Sequence, residues 1–461
     1  MNPAVLRTGE LFEADCSALD DDGSGVIEMA VDQESLRVHI AGVLAGERVR
    51  ACLDHVSVHS RGRRREAWAS LREILSPSTE RVAVTCPAYG ACGGCTLMAL
   101  AYPAQLAWKT ERVRAELAKH EALATLPVEA CAPSPQVLGY RNQAKYVYGR
   151  ERDSGRLVLG GFAPRSHDLV DLAACQVVEP VLDETRGVLL EILCERSVEP
   201  FDEIRRTGVL RYAILRATAA GQVMATLVVA RKASIDAASI AAALRDRCPA
   251  VASVVLNVNS GAGNALFGDE DTPVSGPSTV EDTVGDVQVR LSSRSFFQAN
   301  RAVASMIYRA IAESIPDGIA CAVDAYAGAG GIALSLAPKA REVIAIEASA
   351  PATAAAAAFL AERSTGRIRT LTGDAGACLE QLASADAVVV NPPRKGCDGR
   401  VLAALARLRP STLLYLSCNP LTLSRDLATL VSAGAEVVRI SPFDMMPHTP
   451  HVETLALVRF G

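Results

Sequence analysis

No apolar run in this chain is long enough to cross a bilayer. The longest alanine-rich stretch, Ala352 to Leu360, falls far short of the roughly 20 residues that a spanning helix needs. No excess of positive charge is present either. The 47 lysines and arginines against 52 aspartates and glutamates leave a net charge of −5. That balance gives no bulk support to nucleic-acid binding, although a local basic surface matters more than the total. The clearest such run is RGRRR at 61–65, for which a solvated loop and an RNA contact are equal readings. The stretch MNPAVLRTGELFEADC has acidic residues and no apolar core segment, so no signal peptide is expected. No internal repeat or disordered linker stands out. Hydrophobic residues at 49% and charged residues at 21% suit a folded globular chain. Thirteen unevenly spaced cysteines without an export signal point to a reducing, cytoplasmic setting. There, cysteines serve as ligands, nucleophiles or small core residues.

At 461 residues the chain exceeds one typical core, so two or three domains are expected. Residues 8 to about 75 alternate short β-like runs (VIEMAV, SLRVHIAGV, ERVRACLDHVSV) with polar turns, a pattern that predicts a small β-barrel. The cysteine-rich CPAYGACGGC and a helix over 102–117 come next. Residues 137 to about 290 mix strands with helices near 182–194 and 235–247, which reads as an α+β region. From about 296, strands and helices alternate regularly. That texture implies an α/β domain with a mainly parallel, doubly wound sheet, closed by a terminal hairpin, EVVRISPF and VETLALVRF. The expected division is 1–78 barrel, 79–292 central α+β domain and 293–461 α/β domain.

VDAYAGAGG at 323–331 directly follows the first strand of that last domain. Gly328, Gly330 and Gly331 allow a tight turn and close approach of a ligand at the strand ends. Glu347 ends the second strand, where a carboxylate can accept both hydroxyls of a ribose. Asp374 follows the third and can accept from a base amino group; helix N-capping is the alternative for both acids. NPP at 391–393 closes the fourth strand without amide donors, leaving the Asn391 side chain and carbonyls to face a ligand. Acidic strand ends with NPP suit S-adenosylmethionine better than a dinucleotide, whose pyrophosphate wants a helix start.

YLSCNPLTLSRDL at 415–427 ends a hydrophobic strand on Cys418, followed by turn formers and a polar helix start. A core cysteine and an exposed nucleophile are both open there. Arg425, in the helix that follows, is a candidate for lowering the thiol pKa, with a surface role as the alternative. Cys86, Cys92 and Cys95 form C-x5-C-x2-C, with Cys175 distant. Spacing alone leaves zinc, an iron–sulfur cluster and unliganded cysteines open.

With SFFQAN (295–300), DAYAGAGG (324–331), NPPRKG (391–396), SCNP (417–420) and PHTPHVE (447–453) in order, the chain resembles the RNA uridine C5-methyltransferases. The likeness covers nearly the whole chain, and its front portion resembles the members with a TRAM barrel and a four-cysteine cluster. The resemblance implies a Rossmann-like class I methyltransferase domain, with Cys418 as nucleophile and Glu453 as the base for the C5 proton. It implies an S-adenosylmethionine site lined by Gln298, Tyr326, Gly328, Gly331, Glu347, Asp374 and Asn391. It also implies a [4Fe-4S] cluster on Cys86, Cys92, Cys95 and Cys175. The family usually carries aspartate at Asn391 and phenylalanine at Met446. The expected substrate is a uridine in RNA, with 23S ribosomal RNA favoured over transfer RNA, acted on by a monomer without membrane attachment. A non-catalytic RNA-binding or folding factor and a small-molecule methyltransferase are the competing readings. His448, His451 and Asp444 are left without roles, and Phe296 or Phe297 is expected to support the cofactor, stack on a base or pack in the core.

Overall fold

The computed structural model describes residues 7–31, 34–61, 64–232, 235–261, 263, 265–364 and 366–461. The chain forms two compact units, Met1–Trp108 with Met446–Pro450, and Lys109–Met445 with His451–Gly461.

In the first unit one sheet runs in the order Leu11–Asp15, Arg48–Arg61, Arg64–Ser76, Glu34–Ile40, Gly25–Val31, Ala18–Leu19. Alternation selects its inner face: Leu36, Val38 and Ile40 join Val49, Ala51, Leu53 and Ala67 in one apolar cluster. The two long strands pair with several register shifts, each of which bends a strand and lets the sheet curve around that cluster. Of the basic run at 61–65, Gly62 and Arg63 lie outside the described residues. Arg65 reaches the Ser57 carbonyl at 3.2 Å.

The second unit carries two seven-stranded sheets. The first is mostly antiparallel. The helices Pro180–Glu195 and Ala237–Arg247 bury Leu182, Leu189, Ile240 and Leu244 against Tyr146, Leu215 and Leu227 of its strands. The second sheet is ordered Ile368–Thr372, Ala340–Glu347, Ile319–Ala325, Ala387–Val390, Thr412–Ser417, Glu453–Phe460, Ala435–Phe443. The first five strands are parallel, and near-continuous apolar runs such as TLLYLS are buried along their whole length. The expected terminal pair forms, but its last strand inserts antiparallel between Thr412–Ser417 and Ala435–Phe443. Among the described residues no helix is long and apolar enough to cross a membrane.

Lys109, in the helix Tyr102–Leu117, bonds Asp444 at 2.5 Å with both side chains fully buried. Asp444 therefore serves to neutralise a buried ammonium. Lys109→Met would leave that carboxylate buried without its cation, and we expect a loss of about 3–5 kcal/mol. The measurement is a lowered urea midpoint at unchanged slope.

Candidate active site

The order of the second sheet reverses direction between Ile319–Ala325 and Ala387–Val390, so the loops after these two strands diverge and open a crevice at their carboxyl ends. Asp324 stands fully buried at the end of the first of these strands and accepts from the Ala333 N–H at 2.8 Å. Burial pushes its carboxyl up to about 7. The chain then turns through Tyr326, Gly328 and Gly330, all at positive φ (72°, 55° and 78°). The glycines divide the work. A Cβ on Gly330 would come within 2.5 Å of Leu360, and one on Gly331 within 2.6 Å of the Tyr308 hydroxyl, so these two serve close packing. A Cβ on Gly328 would meet only the Phe296 carbonyl at 3.9 Å, which leaves this glycine facing open space.

Glu347 ties the loop in place: its two carboxylate oxygens accept from the Gly328 and Ser349 N–H groups, each at 2.9 Å. Asp374 is exposed and caps the helix Ala375–Glu380 by accepting from Ala377 N–H at 3.0 Å, so the capping role weighed for it is present. Asn391 is half-buried just past Ala387–Val390. Gln298 is buried, and its carbonyl accepts from the Asn142 amide at 2.9 Å. Of the adjacent aromatics, Phe297 packs at 6% exposure and Phe296 projects at 71%.

The second half of the site grows from the inserted strand. Ser417 pairs with Thr454 across the antiparallel ladder. Cys418 and Glu453, the next residues toward the sheet edge, therefore meet at the strand ends. Cys418 is half-buried in the turn between Thr412–Ser417 and the helix Pro420–Ser432. The Asn419 side chain caps that helix by accepting from Leu421 N–H at 3.2 Å. Glu453 is buried, and its Oε2 has no hydrogen-bond partner among the described residues. An unpaired carboxylate in that position is costly to ionise, and burial raises its pKa to about 7 against the pull of Arg394. Burial also raises the Cys418 thiol above its ordinary value, as does the Glu453 carboxylate, while Arg394 opposes both through its charge and a hydrogen bond.

Arg394, in the NPPRKG loop, is the functional residue that the sequence reading did not single out. Its guanidinium lies 3.3 Å from His451 Nε2. The signal was present in the motif, but nothing in the spacing links residue 394 to residue 418. Burial and the charges of Arg394, Arg112, Lys109 and Arg141 drive His451 down to about 4, so its imidazole is neutral at physiological pH and too weak to act as the base. Arg425 does not act on the thiol: its guanidinium holds Asp426 at 2.7 Å and the Lys395 carbonyl at 3.0 Å. In the first unit His448 donates its N–H to Gln105 Oε1 at 2.9 Å, a packing role.

Cys86, Cys92 and Cys95 sit half-buried in one turn-rich loop of the first unit. Among the described residues no group of three or more His, Cys, Asp or Glu side chains is gathered to hold a metal ion. Cys175, the fourth expected ligand, is half-buried in the second unit.

A family model described as tRNA (uracil-5-)-methyltransferase matches residues 367–459. An uncharacterized RNA methyltransferase of Geobacter sulfurreducens is 36% identical over 98% of this chain and 90% of its own length. Another, from Halalkalibacterium halodurans, is 30% identical over 99% of this chain and 98% of its own. The crystal structure of Pyrococcus abyssi tRNA (uracil-54, C5)-methyltransferase in complex with S-adenosyl-L-homocysteine superposes with a TM-score of 0.75. It covers 97% of this chain and 100% of that one at 24% identity, a likeness of fold.

The Glu453 charge holds the Cys418 thiol up, so removing it must act in the opposite direction. Glu453→Gln is expected to speed iodoacetamide alkylation of Cys418 near neutral pH by about two- to tenfold. Mass spectrometry of the peptide containing residue 418 reads the rate, and an unchanged or slower reaction contradicts the assigned contact.

Proposed function

We propose, from the premise that this chain belongs to the RNA uracil-C5 methyltransferase family, that it methylates C5 of a uridine in RNA through a covalent adduct to Cys418. The observation that carries the reading is the meeting of Cys418, Glu453 and Arg394 beside the crevice of the parallel sheet. S-adenosylmethionine, when bound, supplies an electrophilic methyl group. The open face at Gly328 and the half-buried Glu347 carboxylate fit an adenosine cofactor, and Gln298, Tyr326, Gly331, Asp374 and Asn391 would complete its site.

Uracil C5 is a poor nucleophile until the ring is converted to an enolate. The Cys418 thiolate adds at C6, forming the S–C6 bond and placing electron density on C5, which then takes the methyl. Glu453 as carboxylate next removes the C5 proton; the C5–C6 double bond re-forms and the thiolate leaves. Arg394 opposes the charge repulsion between the two anions during the addition. The target edge is unreachable in stacked RNA, so the base must be drawn out before Cys418 can reach it.

Ribosomal RNA is favoured by the likeness of the front strands and cysteines to the ribosomal enzymes. Transfer RNA is the second reading, favoured by the description of the matching family model. Mapping 5-methyluridine in total ribosomal and transfer RNA, with and without the gene, separates them. Within the reading, Cys86, Cys92, Cys95 and Cys175 hold a [4Fe-4S] cluster with a structural task, and no chemical step passes through it. Its support is the C-x5-C-x2-C spacing together with the three half-buried thiols sharing one loop.

Three outcomes follow. Cys418→Ala abolishes methyl incorporation into RNA lacking the modification, and retained turnover overturns the mechanism. Glu453→Gln accumulates a covalent RNA adduct, visible as a denaturation-resistant shift, while in the intact enzyme kcat rises with pH as Glu453, its carboxyl raised to about 7, ionises. Anaerobically prepared protein carries about four iron and four sulfide per chain, which Cys86→Ser or Cys175→Ser removes and Cys194→Ser does not.

A further inference from the structure

Beneath the NPPRKG loop lies a buried carboxylate that the chemistry above does not use. Asp426, in the helix Pro420–Ser432, is fully buried. Its Oδ2 accepts from the Tyr415 hydroxyl at 2.6 Å and from the Cys397 N–H at 2.8 Å. Its Oδ1 accepts from Arg425 Nε at 2.8 Å, and Arg425 also donates to the Lys395 and Cys397 carbonyls at 3.0 and 3.5 Å. The loop wraps so tightly that Gly396, at φ 79°, has no room for a Cβ: one would lie 2.6 Å from both Asp426 Oδ2 and Arg425 Nη2.

The same helix grips the loop twice more. The Asn419 amide and the Thr422 hydroxyl both donate to the Arg394 carbonyl, at 3.1 and 3.2 Å. The helix that begins directly behind Cys418 therefore clamps the loop that carries Arg394. Cys397, at the centre of the clamp, also lies beside the Tyr326 side chain of the glycine loop, close enough for each group to influence the other's ionisation. Three segments that must keep register during methyl transfer thus converge on one buried anion, which contacts no reacting atom. A partnered carboxylate of this kind is expensive to keep in a core for stability alone.

We propose that Asp426 is a positioning residue: it fixes the reach of the Arg394 guanidinium toward the Cys418 sulfur and, through Cys397 and Tyr326, holds the nucleophile in register with the cofactor crevice. The proposal rests on the methyl-transfer reading above, but its primary measurement needs neither RNA nor cofactor. The charged groups that act on Cys418 are Glu453 and Arg394, and both are retained in Asp426→Asn.

The test is site-resolved alkylation of Cys418 against pH in the full chain. In Asp426→Asn a displaced Arg394 lowers the thiolate fraction, so alkylation at about pH 7.5 falls roughly tenfold and the profile moves to higher pH. Simple loss of a buried negative charge would move it to lower pH, which separates positioning from electrostatics by sign. Arg394→Ala shifts the profile in the same direction, and the double variant is no slower than Arg394→Ala within about twofold, because both act through one group. In turnover, kcat falls while KM for RNA holds. An unmoved or oppositely moved profile, or additive effects, overturns the proposal. Should Asp426→Asn fail to fold, Thr422→Val removes one bond to the Arg394 carbonyl. A smaller shift in the same direction supports the proposal and none sinks it. Methylation that survives Cys418→Ala would instead sink the mechanistic reading and leave the alkylation result standing.

Discussion

The pairing of Ser417 with Thr454 is the constraint on which the site turns. Side chains alternate along a strand, so slipping this register by one residue would carry Glu453 to the opposite face of the sheet and away from Cys418. The register is held by close packing on both faces: Leu414, Leu416, Leu455 and Val458 are all in the core, and a slipped strand would bring side chains of the wrong shape into filled sites. Hydrophobic packing that has nothing to do with chemistry thus sets where a thiol and a carboxylate stand relative to each other.

The electrostatics of the site follow from that placement. Burial alone disfavours both the thiolate and the carboxylate, and each disfavours the other. Arg394 is the counterweight, and its loop is fastened by Asn419, Thr422 and Asp426 to the helix that starts after Cys418. Burial thus raises both the Cys418 thiol and the Glu453 carboxyl, the latter to about 7, with Arg394 opposing each shift. The cofactor side is organised separately: Asp324 anchors the helix Gly331–Leu336, Glu347 fixes the glycine loop, and Gly328 remains open.

Several sequence expectations rested on local chemistry, and these translated directly. The helix over 102–117 and the alternating segments after residue 296 are set by apolar periodicity and by caps such as Asn300, Asp398 and Asn419. Glycines 328, 330 and 331 announced a turn, but their division between packing and open space depends on Leu360 and Tyr308, which come from other elements. Arg425 looked like a candidate beside the thiol because it is near in sequence. The helical turn instead points it at Asp426 and the loop carbonyls.

By itself the sequence determined the α/β class, the order of strands and helices, and the motifs that carry the family resemblance, since these depend on periodicity, turn chemistry and motif content over short spans. Only the tertiary structure decided that the last strand enters the sheet antiparallel beside Thr412–Ser417, that Arg394 acts on Cys418, and that Asp426 lies under the loop that carries Arg394. The physical reason is that pairing between distant segments is settled by burial and hydrogen bonding across the whole sheet, and no local pattern of residues encodes which distant edge a strand will join.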